Sequence, residues 1–156
     1  MKIKYEEIDA GALDLVEPLW EKLRKHHEVR SSHFAQHYAG RTWVARSTEL
    51  LEKARTGAMH VDLAKDLESG EVVAYCVSTI SSESSDRKGC LESIFVEPNY
   101  RENGIGDNLM LKALDWMNGK QAKTIVIEVG VGNEAVVSFY SYYNFHPRTI
   151  ILQQVK

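Results

Sequence analysis

The stretch EPNYRENGIGDNLM, residues 97–110, sets Gly104 and Gly106 between a strand-like run and a helical pattern. The preceding run, CLESIFVEP (90–98), is rich in apolar residues on both alternating positions, which is typical of a strand buried on both faces. The segment that follows, residues 105–120, repeats apolar residues at helical spacing. The stretch therefore predicts a tight connection from a buried strand to an amphipathic helix.

The segments on both sides of this connection predict the order of the sheet. Downstream, KTIVIEVG (123–130) is a second buried run, so strand, helix and strand should form a right-handed βαβ unit with parallel strands. Upstream, AMHVDLAKD (58–66) and EVVAYCVSTISSE (71–83) flank a Leu-Glu-Ser-Gly turn and predict an antiparallel hairpin. The segment MKIKYEEID (1–9) predicts a first strand with one exposed face, and SSDRKG (84–89) predicts a polar tip.

Helical patterns fill most of the remaining chain. Apolar residues recur at helical spacing in residues 11–28, and STELLEKARTG (47–57) predicts a short helix, whereas residues 27–46 show no clear periodicity. The segment NEAVVSFYSYYN (133–144) predicts a further helix, and TIILQQV (149–155) predicts a closing strand. The predicted fold class is α+β, with a mixed central sheet, an antiparallel N-terminal meander, a parallel βαβ unit and helices on both faces.

Composition and charge restrict the class of protein. The chain has 156 residues, 44% of them hydrophobic and 26% charged, so we expect residues 1–156 to form one domain with a substantial core. A net charge of −3 argues against nucleic acid as a partner. Residues 1–17 carry charges where a signal peptide needs an apolar run, and no apolar stretch is long enough to span a membrane. We expect a cytoplasmic protein with no membrane partner.

The two cysteines, Cys76 and Cys90, each lie inside a strand-like run. A disulfide framework needs more cysteines and a secretory context, and a zinc site needs closely spaced cysteines or histidines. Neither thiol has a catalytic motif around it. We therefore expect two free thiols and no metal.

Three interpretations of the glycine loop compete: a plain turn, a dinucleotide fingerprint and a cradle for another phosphate. The fingerprint needs a third glycine where this chain has Leu109, and a Walker loop needs a Gly-Lys-Ser/Thr that the chain lacks. Unpaired N–H groups at a helix N-terminus attract phosphate, and glycines let the backbone approach it. The residues of the loop alone leave the plain turn and the phosphate cradle open.

The loop resembles the acetyl-coenzyme A loop of the GNAT superfamily of N-acetyltransferases, whose signature is Arg/Gln-x-x-Gly-x-Gly/Ala. Arg101, Gly104 and Gly106 occupy those positions. A second block, NEAVVSFYSYYNF (133–145), is similar to the family segment Asn-x-x-Ala/Ser-x-x-Phe-Tyr-x-x-x-Gly-Phe, although Asn144 replaces its glycine. Asparagine also tolerates the left-handed conformation that a helix end requires. The specific motifs cover residues 91–145.

The resemblance implies direct transfer of an acetyl group from acetyl-coenzyme A to an amine, without a covalent acyl-enzyme. It also implies that two neighbouring parallel strands separate and leave backbone groups free for the cosubstrate. The implied partners are a small-molecule or peptide amine and, since dimers are frequent in the family, a second copy of the chain. The residues implied to bind acetyl-coenzyme A are Ile94, Phe95, Val96, Arg101, Glu102, Asn103, Gly104, Ile105, Gly106, Asp107, Asn133, Phe139 and Tyr140.

Two catalytic residues are predicted with the help of this resemblance. Glu92 is the candidate general base, acting through water, and is expected to share one strand face with Ile94 and Val96. Tyr140 is the candidate general acid, because a phenol keeps its proton at neutral pH and can donate it to the leaving thiolate. A structural role remains open for both residues, and Glu128 is the reserve base. The alternative function is a catalytically silent domain that binds coenzyme A and acts as a sensor or scaffold.

Overall fold

The computed structural model describes residues 1–82 and 86–156, which form one five-stranded sheet with helices on both faces. Successive strands among the first four along the chain are antiparallel, and the fifth strand is parallel to the fourth. The predicted α+β architecture is confirmed. Residues 84 and 85 of the predicted polar tip, and Glu83 at the end of the predicted hairpin strand, lie outside the described residues. In spatial order the strands are β1 (Ile3–Ile8), β2 (Ala58–Asp66), β3 (Val72–Ser81), β4 (Lys88–Val96) and β5 (Thr124–Ile127).

The sheet separates the core into two layers, and each layer is covered by helices. On one face of the sheet, the first two long helices cover a cluster that includes Trp20, Trp43 and Leu50; on the other, the helix of the βαβ unit covers a cluster centred on Leu109 and Met110. The helices are α1 (Glu17–Arg30), α2 (Ala35–Ala39), α3 (Trp43–Thr56), α4 (Ile105–Gly119) and α5 (Val136–Ser141), with 3₁₀ turns at Ala10–Val16 and Pro98–Tyr100.

The same described residues contain no helix that has both the length and the apolar character to cross a lipid bilayer.

The α3 helix begins four residues before the sequence pattern predicts. It starts at Trp43 rather than at Ser47, because the hydroxyl of Thr42 accepts a hydrogen bond from the Ala45 amide (3.2 Å) and caps the first turn. The extra turn carries Arg46, which is buried. The last residues of the segment 27–46, which has no clear periodicity in the sequence, are therefore helical, and one of their side chains is buried.

The predicted closing strand 149–155 is wrong. Residues 145–156 have no regular secondary structure, and Ile150, Ile151 and Leu152 are exposed. A run of β-branched residues favours a strand only when a neighbouring strand supplies hydrogen bonds and packing, so the pattern alone does not decide its structure.

A β-bulge in β4 changes the direction of Glu92. Val77 and Ser78 are consecutive in β3, but they pair with Ser93 and Leu91, so Glu92 is the extra residue. Leu91 belongs to the core layer under α4, whereas Glu92 reaches α3 on the opposite face. The expectation that Glu92 shares a face with Ile94 and Val96 is therefore wrong, because the bulge breaks the alternation of side chains.

Candidate active site

A cavity of ≈ 580 Å³ opens between the ends of β4 and β5 and is lined by residues of α1, α4 and α5. Asn103 is the one residue predicted from the sequence that does not line it. One ligand can thus reach side chains from several elements at once. The predicted residues that line the cavity are Glu92, Ile94, Phe95, Val96, Arg101, Glu102, Gly104, Ile105, Gly106, Asp107, Asn133, Phe139 and Tyr140.

The strands β4 and β5 separate beside this cavity. Their parallel ladder ends at the pair Leu91–Ile127, whereas β4 stays paired with β3 as far as Val96. Among the described residues, the backbone groups of residues 93–95 that face β5 consequently have no strand partner. Polar backbone groups of this kind require another hydrogen-bond partner, and here they line the cavity wall.

The glycine loop leads into a helix N-terminus with free amides. Gly104 adopts the left-handed conformation (φ 77°) just before α4, which glycine reaches without strain. The Asn108 amide donates to the Gly104 carbonyl, and the amides of residues 104–107 have no acceptor within the described part of the chain. Because the helix dipole adds positive potential at this end, the row of N–H groups favours an anion such as a phosphate.

Two side chains of the loop stabilise its shape. The Arg101 Nε donates to the Val96 carbonyl (2.9 Å), and its guanidinium lies 5.5 Å from the centre of the Phe95 ring. The Asn103 amide group donates to the carbonyls of Tyr100 (3.2 Å) and Arg101 (3.0 Å). These contacts hold the loop against the end of β4, and they explain why the Asn103 side chain does not line the cavity.

The N-terminus of α4 packs against α5. A Cβ added at Gly106 would lie 3.6 Å from the Phe139 ring, an ordinary van der Waals distance, so alanine fits there. Asp107 accepts a hydrogen bond from the Tyr143 hydroxyl, which turns its carboxylate toward α5. The Tyr143 hydroxyl thus binds the negatively charged Asp107 side chain close to the predicted anion site.

Tyr140 projects from α5 and lines the cavity. Its ring contacts Phe139 (5.5 Å between centroids) and Phe145 (6.4 Å). Burial disfavours the phenolate and raises the pKa of Tyr140 to about 12. The phenol therefore carries its proton throughout the neutral and moderately alkaline range.

Glu92 is held by three side chains. Its Oε1 accepts from Arg46 (3.1 Å) and Lys53 (3.1 Å), and its Oε2 accepts from Lys53 (2.9 Å) and from the Thr79 hydroxyl. These bonds occupy the roughly four lone-pair sites of an ionised carboxylate. Burial disfavours the charge, but the hydrogen bonds from Thr79 and Lys53 and the charges of Arg46 and Lys53 outweigh it and lower the pKa of Glu92. At neutral pH the carboxylate is ionised and fully hydrogen-bonded.

The site residues predicted from the sequence include none from α1, although one face of this helix lines the cavity. Leu23, His26, His27 and Arg30 line it, and their spacing of i, i+3, i+4 and i+7 marks one helix face, a signal that the sequence contained. His26 Nε2 lies 3.0 Å from the Asn133 side-chain oxygen and so connects α1 to the loop after β5. Burial, followed by the charges of His26, Arg41 and Arg30, lowers the pKa of His27.

The thiols are poorly suited to act as nucleophiles. Burial raises the pKa of Cys76 to about 12 and that of Cys90 to about 12, so neither residue forms a thiolate at neutral pH. For the acetyl transfer that the GNAT resemblance implies, replacing either cysteine with alanine should keep most of the rate, while loss of packing lowers the melting temperature. Mass spectrometry after incubation with acetyl-coenzyme A checks this directly. An acetyl-cysteine adduct that disappears together with turnover would instead require a covalent intermediate.

Comparison with known proteins identifies the family. The model of the acetyltransferase (GNAT) family matches residues 16–145. The chain belongs to the GNAT family. The match covers the glycine loop, the separated strands and α5, and it confirms the resemblance drawn from residues 91–145.

Two curated relatives match parts of the chain. An uncharacterized N-acetyltransferase of Methanocaldococcus jannaschii is 30% identical over 61 residues, which are 39% of this chain and 27% of the relative. The N-alpha-acetyltransferase 30 of Schizosaccharomyces pombe is 36% identical over 58 residues, 37% of this chain and 39% of the relative. The matched part thus spans between a quarter and two fifths of these relatives.

Solved structures resemble this GNAT chain along its whole length. A GCN5-related N-acetyltransferase from Ralstonia eutropha aligns with a TM-score of 0.75 at 17% identity and covers 99% of both chains. A glucosamine-6-phosphate N-acetyltransferase from Arabidopsis thaliana aligns with a TM-score of 0.64 at 13% identity, over 99% of this chain and 98% of its own. At such low identity these likenesses establish the fold.

Proposed function

We propose that this protein is an N-acetyltransferase that moves an acetyl group from acetyl-coenzyme A directly to an amine, carried by a small molecule or a peptide. The observation that carries the proposal is the row of free amides at residues 104–107, placed where β4 and β5 separate. Membership of the GNAT family supplies the class of reaction. The proposed acceptor is neither a nucleic acid nor a component of a membrane.

The residues present fit acetyl-coenzyme A. The free amides of α4 and Gly104 form an anion site for its pyrophosphate, and the open edge of β4 at residues 93–95 offers hydrogen bonds to amide groups of an extended ligand. The cavity of ≈ 580 Å³ is within the range of cofactor pockets. We assign binding to Arg101, Glu102, Gly104, Ile105, Gly106 and Asp107 in the loop, Ile94, Phe95 and Val96 in β4, and Asn133, Phe139 and Tyr140 around α5; Asn103 acts by shaping the loop.

The reaction needs a base for the acceptor and an acid for the leaving group. The base takes one proton from the ammonium form of the acceptor, and the neutral amine nitrogen then attacks the thioester carbonyl carbon. The nitrogen releases its second proton to water as the carbon–sulfur bond breaks. Tyr140 donates a proton to the departing thiolate and regains one from water. We assign to the backbone N–H groups of the open β4 edge the stabilisation of the negative charge that develops on the carbonyl oxygen.

We propose Glu128, acting with water, as the base for the amine. It lies one residue beyond the last β4–β5 pair, lines the cavity and is exposed, so it can receive a proton. Glu92 was the base predicted from the sequence, and it remains the competing assignment. Its four accepted hydrogen bonds leave it little capacity for a proton, which favours a positioning role in which its charge balances Arg46 and Lys53.

Coenzyme A binding tests the loop directly. Coenzyme A at about 100 times its Kd should stabilise the protein by about 2.7 kcal/mol, equivalent to a rise in Tm of roughly 5–10 °C, whereas NAD should have no effect. Gly104→Asp should abolish the shift, because the carboxylate repels the pyrophosphate. Aspartate tolerates the left-handed conformation, and a Cβ at Gly104 meets nothing within 4 Å.

The matched control is Gly104→Asn, which has the same shape without the charge and should keep most of the shift. Gly106→Ala should also bind, since alanine fits against Phe139. An unchanged shift in Gly104→Asp would refute the phosphate cradle. A coenzyme A shift without thiol release in the presence of amines would favour the silent binding domain instead.

A further inference from the structure

A second, smaller cleft of ≈ 70 Å³ adjoins the main cavity. It is formed by α1, Tyr38 of α2, the start of α3 and β4, and it shares Leu23, His27, Glu92 and Ser93 with the lining of the cavity. A group bound in this cleft therefore sits next to the separated end of β4. The remaining residues of its lining are Trp20, Arg24, Tyr38, Arg41 and Arg46.

Two of the three arginines in this cleft are neutralised by carboxylates. Arg24 pairs with Glu21 at 3.0 Å and with a second glutamate of α1. Arg46 pairs with Glu49 (2.9 Å) and with Glu92 (3.1 Å). Their charges are thus balanced inside the protein.

Arg41 differs from both. No carboxylate lies within 4.0 Å of its guanidinium among residues 1–82 and 86–156, and the guanidinium lies 6.0 Å from the centre of the Trp20 ring. The side chain is half-buried. Its charge contributes to the lowered pKa of His27, so the positive potential extends toward the main cavity. A half-buried guanidinium without a carboxylate partner in the described part of the chain keeps its donors available for an anionic ligand.

We propose that Arg41 binds the carboxylate of the acetyl acceptor, which makes the acceptor an amine that also carries a nearby carboxylate, as a free amino acid does. The proposal rests on the proposed N-acetyltransferase function and specifies its substrate class. A guanidinium donates to both oxygens of a carboxylate in a planar, bidentate arrangement. The cleft has room for only a few non-hydrogen atoms, which suits a carboxylate.

The same charges orient the acceptor. The carboxylate is attracted into the cleft by Arg41, while an ammonium or amine group is not. The amine end is therefore left in the main cavity beside β4 and Glu128, where transfer is proposed to occur. Glu92 does not compete for Arg41, because its carboxylate is already fully bonded by Arg46, Lys53 and Thr79.

The test compares the twenty amino acids with their primary carboxamides as acceptors in a thiol-release assay. Rates are measured across pH, so that the lower amine pKa of the amides is taken into account. In the wild type, at least one amino acid should have a higher kcat/KM than its amide. Arg41→Gln should lower kcat/KM for that amino acid about 10–100-fold, mainly through KM, and leave the amide within about twofold.

Arg55→Gln is the matched control, because Arg55 is an exposed arginine of α3 that pairs with Glu52 away from the cleft. This variant should leave kcat/KM unchanged for both the amino acid and its amide. Three results would each overturn the carboxylate site. The first is an equal loss of kcat/KM for the amino acid and its amide in Arg41→Gln. The others are wild-type kcat/KM values as high for amides as for amino acids, and no transfer to any amino acid. The coenzyme A thermal shift should be unchanged in Arg41→Gln; its absence in the wild type would overturn the proposed function itself, and this proposal with it.

Discussion

Replacing Tyr140 with phenylalanine should lower kcat about 10²–10⁴-fold and leave coenzyme A binding intact, because the ring and its contacts remain while the donated proton is lost. Since the pKa of Tyr140 is raised to about 12, the defect should be nearly constant from neutral to moderately alkaline pH. Single-turnover kinetics together with the coenzyme A thermal shift separate chemistry from binding.

The neighbouring tyrosines provide the controls for this variant. Tyr142 is 82% exposed, so Tyr142→Phe should have no effect. Tyr143→Phe removes the hydrogen bond to Asp107 and should weaken the packing of α5 on α4 without a comparable loss of kcat. Turnover by Tyr140→Phe near the wild-type rate, with chemistry rate-limiting, would show that another group protonates the thiolate.

Replacing Glu128 with glutamine should lower the rate about 10²-fold at neutral pH, and the rate should recover as pH rises toward the pKa of the acceptor amine. The recovery is expected because an amine that is already deprotonated needs no base. The pH dependence of kcat/KM, measured for the wild type and for Glu128→Gln on the same acceptor, gives this result. A parallel pH profile at reduced rate would contradict it.

Glu92→Gln makes the same chemical change at the competing carboxylate, but it should lower the stability of the protein instead of causing a rate defect that high pH restores. It leaves Arg46, which is 8% exposed, without its buried partner, so stability should fall by about 3 kcal/mol. Because the interactions lower the folded-state pKa of Glu92, its contribution is present above the unfolded pKa and is lost as pH falls through the folded pKa. The stability difference between the wild type and Glu92→Gln should thus shrink at acidic pH.

These two variants also decide the base. If Glu92→Gln shows a rate defect that high pH restores and Glu128→Gln does not, the base is Glu92, as the sequence-based hypothesis stated. Urea unfolding of both variants at each pH keeps the comparison valid, because it shows whether each variant stays folded over the pH range in which its rate is measured.

The sequence by itself determined the family, the order of the sheet and most of the cavity lining. These features depend on local information: Gly104 and Gly106 at fixed spacing after a buried strand, nearly continuous apolar runs in the strands of the βαβ unit, and periodicity near 3.6 in α4. A βαβ unit has one favoured handedness, so these local patterns also placed the free amides of α4 beside the end of β4.

Only the tertiary structure decided where the charges lie. The bulge at Glu92 depends on how β3 and β4 pair, which turned its carboxylate toward Arg46 and Lys53 and away from Ile94. The missing strand at residues 149–155 follows from the same cause, because strand pairing is set by distant partners and not by the residues of one segment. Arg41 is the clearest example of a feature that the sequence alone does not predict. Its sequence neighbours do not distinguish it from the paired arginines, because the lack of a carboxylate partner among residues 1–82 and 86–156 arises only when α1, α2, α3 and β4 pack around one cleft.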